Sequence, residues 1–220
     1  MLNASLLYKL MISNSTAYQD LIINNKFIEL IEGLNQNSVV LDIGANIGNI
    51  SNFIFEKKQP YIYAFEPNKL CFEILARRFI DYDKVKTFNL AVSNYSGPTK
   101  LYLHEKSTGI SDFNYIESSS LNNNKDNVSK TNSVEIRVEH ILNIVSKFSN
   151  IDLIKLDVEG SEYEIMPHLI KQRSKIKCVL CELHGDPKKN KNKEFFSSYQ
   201  NLLENLKETN LYNNWFYEWH

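Results

Sequence analysis

Cysteine is scarce in this 220-residue chain. Cys71, Cys178 and Cys181 are an odd number and too few for a disulfide framework at this length, so a reducing compartment is the expected setting. Cys178-x-x-Cys181 has the spacing of half a zinc site, but no second Cys/His pair of suitable spacing accompanies it. It also lies inside the apolar run Cys178–Leu183, which reads as buried strand thiols, and no metal is predicted. Excess charge is missing as well. Lys and Arg number 25 against 26 Asp and Glu, a net charge of -1 that gives no broad electrostatic case for nucleic acid. Long hydrophobic runs are absent: Lys9, Asn14, Asp20 and Lys26 interrupt the N-terminal stretches, so neither a secretory leader nor a membrane span is expected. Together these absences predict a cytoplasmic protein.

What is present is an ordinary globular composition, 43% hydrophobic and 23% charged, in a chain of a length that suits one domain. Leu2–Leu34 carries apolar residues at helical spacing (Leu21, Phe27, Ile28, Ile31), with Gly33 placed to stop a helix, so residues 1–37 are expected to form a helical cap on the same domain. Five short apolar runs follow: Val39–Ile43, Ile62–Phe65, Val85–Val92, Ile151–Leu156 and Cys178–Leu183. Such runs suit strands of a parallel sheet buried on both faces. Asn49–Glu56, Leu70–Ile80 and Tyr163–Gln172 have helical length and charged faces, so strand and helix alternate. The class is α/β, a doubly wound, mostly parallel sheet over residues 38–220. Within it, residues 97–140 break the alternation. Lys100–His104 and Val134–Val138 resemble extra strands around the Ser- and Asn-rich Asn114–Ser133, a β-hairpin insertion after the third strand with a mobile loop. A charged helix at about Lys193–Glu208 and an aromatic run, Trp215, Phe216, Tyr217 and Trp219, end the chain, the run suiting a last strand.

Leu41-Asp42-Ile43-Gly44-Ala45-Asn46-Ile47-Gly48 joins an apolar strand to a helical stretch, the setting in which a glycine turn approaches a nucleotide. Gly44 would bare the backbone to the cofactor, Gly48 would admit the next helix, and Asp42 could receive an ammonium group or a bridging water. Dinucleotide enzymes place a pyrophosphate with G-x-G-x-x-G. Here the spacing is G-x-x-x-G with Asn46 inside it, a poorer pyrophosphate cradle and a better seat for the zwitterionic end of a sulfonium cofactor, S-adenosylmethionine. A nicotinamide-dependent oxidoreductase is the runner-up, and a non-catalytic module keeping the fold is the third reading. Glu66 ends the second run where an acid can accept from both ribose hydroxyls, Pro67 turns the chain away, and Asn89 and Ala91 are placed to line an adenine pocket.

In a doubly wound sheet the fourth strand ends beside the cofactor, so Asp157 and Glu159 of Ile151–Glu162 would face the reacting methyl and its nucleophile. Carboxylates there orient or deprotonate a hydroxyl; Glu162 reads in part as a helix-start acid. Glu182-Leu183-His184-Gly185 adds an acid and a histidine to the same rim, where His184 would serve as a base near neutral pH. His104, His140, His168 and His220 have weaker claims.

These residues together resemble the FkbM-type methyltransferases. Asp42-Ile-Gly-Ala-Asn-Ile-Gly48, Ala64-Phe-Glu-Pro67, Asn89-Leu-Ala-Val-Ser93, Ile154-Lys-Leu-Asp-Val-Glu-Gly-Ser-Glu162 and Cys181-Glu-Leu-His184 look like the family's elements in the right order, across about Val39–Gly185. The resemblance implies a class I methyltransferase fold with N-terminal capping helices, cofactor at the C-terminal strand ends, and O-methylation of a hydroxyl on a sugar, glycan or secondary metabolite. One departure stands out: a single candidate strand follows where this fold often has an antiparallel pair, so either that edge is reduced or a partner chain completes it. The aromatic C terminus offers a homodimer surface.

Overall fold

The computed structural model describes residues 24–107, 119–185 and 195–219. The cap residues before Asn24, the start of the Asn114–Ser133 loop, Lys193 and His220 lie outside these. The elements are α1 (Asn25–Glu32), β1 (Val39–Ile43), α2 (Asn49–Lys58), β2 (Tyr61–Phe65), α3 (Lys69–Arg78), β3 (Val85–Phe88) and β4 (Ala91–Ser93). They continue with β5 (Gly97–His104), β6 (Val128–His140), α4 (Ile141–Val145), β7 (Leu153–Leu156), α5 (Glu162–Lys171), β8 (Val179–Glu182), α6 (Phe196–Glu208) and β9 (Phe216–Trp219).

The main sheet has the order β3-β2-β1-β7-β8-β9, and each of its pairings is parallel. Its central strands are buried without alternation because helices cover both faces; every residue of β7 is buried, and Asp42 and Lys155 are the charged exceptions in otherwise apolar β1 and β7. On one face, Phe27 and Ile31 of α1 and Ile54 of α2 pack with Val40, Ile62 and Leu153. On the other, Ile165, Met166 and Leu169 of α5 and Leu206 of α6 pack with Leu41, Ile154 and Phe216. Capping explains several boundaries. Asn24 Oδ1 accepts from the Lys26 and Phe27 amides, and Asn68 Oδ1 from Leu70, so each satisfies donors that a helix start leaves open. Gly33 follows the last residue of α1.

Two expectations change. The run Val85–Val92 is two strands: β3 belongs to the main sheet, whereas β4 leaves it to pair in parallel with β6. The insertion is therefore a three-stranded sheet, β4-β6-β5, whose β5–β6 pair is the expected hairpin, with a register shift between Tyr102 and His104. β6 starts at Val128, so part of the Ser- and Asn-rich segment is strand. At the far edge, β9 pairs directly and in parallel with β8; among the described residues no antiparallel strand stands there. The main sheet is thus wholly parallel rather than mostly so. No helix among the described residues is long and apolar enough to cross a membrane.

Candidate functional site

The sheet order reverses between β1 and β7, and open α/β sheets bind ligands in the crevice at such a point, beyond the carboxyl ends of the strands. A cavity occupies it. It is lined by Gly44, Asn46, Glu66, Pro67 and Asn68, with Ile47, Leu90, Ala91 and Val92 as apolar residues. Lys155, Asp157, Glu159 and Glu182 also line it, and the insertion contributes Leu101, Ser119 and Leu121.

The glycine turn is fixed by its neighbours. Gly44 has φ +79°, and a Cβ there would lie 1.7 Å from the Asp157 carbonyl oxygen. This bareness, expected to serve the ligand, is already demanded by the adjacent β7 turn. Gly48 has φ +84°, and a Cβ would meet Leu75 Cδ1 at 2.6 Å, which is the tight helix packing expected of it. Asn46 lies between them at φ +51°, and its amide donates to Glu66 Oε2 at 2.8 Å. Glu66 Oε1 accepts from the Asn68 amide at 2.7 Å. This acid therefore staples the glycine turn to the start of α3 while lining the cavity, and burial pushes its carboxyl up to about 7. Asn89 sits behind this corner rather than on the cavity wall. Its Nδ2 donates to the Glu66 and Pro67 carbonyls, holding the acid's loop, and Ala91 is the residue that reaches the wall.

Asp42 was expected to meet the ligand. It is instead wholly buried beneath the cavity, where it accepts from Ser51 Oγ at 2.6 Å and faces Lys155 Nζ at 3.4 Å. Lys155 is central here and had no role in the sequence reading. Its Nζ donates to the Gly44 carbonyl at 2.5 Å and lies 3.4 Å from Asp157 Oδ2. Burial opposes its charge, yet Asp42 and Asp157 outweigh burial and hold the ammonium above the ordinary lysine range. One cation thus ties β1, the glycine turn and the β7 end together. The signal was legible in principle, since a lysine inside an otherwise apolar strand needs a buried partner. Asn68 was missed too. Its Nδ2 is buried without a hydrogen-bond partner among the described residues, although the residue lines the cavity.

Beyond β7 the chain turns sharply. Glu159 has φ +57°, unusual for a residue with a side chain, and is followed by Gly160 at +113°. Glu162, at the start of α5, braces the turn by accepting from the Val158 and Gly160 amides at 3.0 and 2.9 Å. Its Oε1 also meets His184 Nδ1 at 2.9 Å, while His184 Nε2 lies 3.3 Å from Glu159 Oε2. Burial would lower the His184 pKa, but Glu159 and Glu162 on either side raise it to about 10. An imidazole that keeps its proton at neutral pH is not the free base expected, and His184 acts as a cationic clamp behind the cavity. The insertion joins this network: Ser120 Oγ donates to the Glu159 carbonyl at 2.6 Å, and Lys125 pairs with the Glu159 carboxylate. Asp157, Glu182 and His184 bring one ligand atom each within 4.8 Å of one another. Both His184 ring nitrogens already face carboxylates, so the neutral imidazole that a metal prefers is lacking, and no ion is assigned. Of the other histidines, His140 caps α4 and packs against His168 at 4.8 Å between ring centroids.

A doubly wound parallel sheet whose switch-point crevice pairs a glycine turn and strand-end acid with a carboxylate rim defines the class I methyltransferase type. The chain belongs to the family described as the methyltransferase FkbM domain, whose pattern it matches over residues 42–210. It is similar to the methyltransferase sdnD of Sordaria araneosa, 26% identical over 160 residues covering 62% of each chain. The chain thus spans about 62% of the length of that curated relative. Among solved structures it overlaps in part with Pyrococcus horikoshii TYW2 in complex with MeSAdo (19% identity, 36% of this chain and 30% of that one, TM-score 0.29). A Streptococcus thermophilus rRNA methylase overlaps similarly (22% identity, 28% and 35%, TM-score 0.26). These overlaps are too partial to bear on substrate.

Proposed function

We propose that this methyltransferase takes its methyl group from S-adenosylmethionine and delivers it to a hydroxyl of a sugar, glycan or secondary metabolite. The carrying observation is the lining of the cavity. A buried acid and an unpaired amide, Glu66 and Asn68, suit ribose hydroxyls, and Ile47, Leu90, Ala91 and Val92 suit a purine face. The carboxylates of Asp157, Glu159 and Glu182 suit a positive centre. Asn68 Nδ2, a buried donor left open on the cavity wall, fits a ligand that brings an acceptor. When bound, the cofactor would supply an electrophilic methyl on a sulfonium. The chain's own part is positioning: Gly44 and Asn46 bring the backbone close, Lys155 fixes the β1 and β7 ends, and the insertion wall of Leu101 and Leu121 excludes water.

The nicotinamide reading finds no support in the G-x-x-x-G turn, and the carboxylate rim argues against a module without chemistry. We further propose a cytoplasmic enzyme that does not act on nucleic acid, with the aromatic C terminus as a homodimer surface. The test is methyl transfer from labelled cofactor to panels of hydroxyl and amine acceptors, by wild type and Asp157→Asn. Transfer to hydroxyls, reduced in the variant, is expected; transfer confined to amines would overturn the O-methyl assignment.

A further inference from the structure

We propose that Glu182 is the residue that accepts the proton of the acceptor hydroxyl. This rests on the methyltransferase reading above and goes further by choosing among its acids. Each rival is already engaged. Asp157 Oδ2 faces Lys155, and both Glu66 oxygens take backbone amides. Glu159 is held by Lys125 and by His184 Nε2. Glu162 is wholly buried under two backbone amides and His184 Nδ1, and His184 lies between two acids. Glu182 ends β8 with its side chain on the cavity wall, and among the described residues no hydrogen bond or ion pair reaches its carboxylate. A group in that position can meet a ligand without first giving up a partner.

Its surroundings set when it works. Burial raises the Glu182 pKa most, Asp157 and Glu159 raise it further, and His184 and Lys155 pull against them, leaving it at about 8. In the free protein at neutral pH this carboxyl holds a proton. A cation brought into the cavity lowers its pKa and expels that proton, so loading of a positively charged cofactor creates the base. As the acceptor oxygen bonds to the methyl carbon, the carbon–sulfur pair stays on sulfur, the O–H pair stays on oxygen, and the proton passes to Glu182.

The test needs no acceptor. Titration calorimetry at pH 7 in two buffers of different ionisation enthalpy counts protons released on binding S-adenosylmethionine and, separately, S-adenosylhomocysteine, which lacks the sulfonium charge and is net neutral. The wild type should release roughly half a proton or more beyond what the neutral ligand releases, since a carboxyl near pH 8 is mostly protonated at 7. Glu182→Gln, which copies the protonated form, should bind both ligands and lose that difference, whereas Glu182→Asp should keep it. An undiminished difference in Glu182→Gln overturns the assignment and leaves the cofactor reading intact. Failure of the wild type to bind either ligand overturns both.

Discussion

Replacing Gly44 with alanine would drive a methyl group to within 1.7 Å of the Asp157 carbonyl oxygen at a residue whose φ is +79°. The β1 and β7 ends would have to separate, so a loss of at least about 1–3 kcal/mol of stability is expected in urea unfolding, with weaker cofactor binding beside it. Lys155 gives a second prediction. Lys155→Met leaves Asp42 buried with its charge uncompensated, and breaking a buried pair in this way costs about 3–5 kcal/mol. The same unfolding measurement checks it, and an unchanged midpoint would remove the lysine from its central place. His184 carries a pH signature. Its pKa is raised from 6.5 to about 10 in the folded chain, so folding favours the protonated ring. That stabilisation is complete below about pH 6.5 and is lost as pH rises toward 10. Stability of wild type relative to His184→Gln should therefore fall across that window, and a flat difference would show that the clamp does not form.

At the scale of elements, the sequence announced the main-sheet strands well, because runs such as Ile62–Phe65 carry no charge and parallel strands covered on both faces are mostly apolar. It missed the break between β3 and β4. Val85–Val92 reads continuously, and only the pairing of Ala91–Ser93 with Val138–His140, far along the chain, separates the two. Long-range partners explain the site's gaps as well. Glu66 and Asp157 declared themselves by type and strand-end position, whereas the links of Lys125 and Ser120 to Glu159 join the insertion to a turn that no local pattern connects to it. The segment 119–127 follows from this as a strap over the Asp157–Gly160 turn. Lys125→Met combined with Ser120→Ala should speed amide exchange at Val158 and Gly160 by about tenfold or more, since local opening tracks the contacts that close it. Exchange equal to wild type would mean that the strap does not hold the turn.

The whole molecule places a cavity at the switch point between β1 and β7, lined by the acids Glu66, Asp157, Glu159 and Glu182. The chain belongs to the FkbM methyltransferase family, and the methyl carrier proposed above would sit at that point. With no metal assigned to the cavity, EDTA should leave methyl transfer unchanged, and inhibition reversed by Mg²⁺ would bring the Asp157–Glu182 pair into play as oxygen ligands. Calorimetric titration with S-adenosylhomocysteine reads whether the crevice between β1 and β7 holds an adenosyl sulfur cofactor. Saturable one-to-one binding, weakened in Glu66→Ala and Gly44→Ala, is expected. No heat of binding at millimolar ligand, from wild-type protein that is folded, would contradict it.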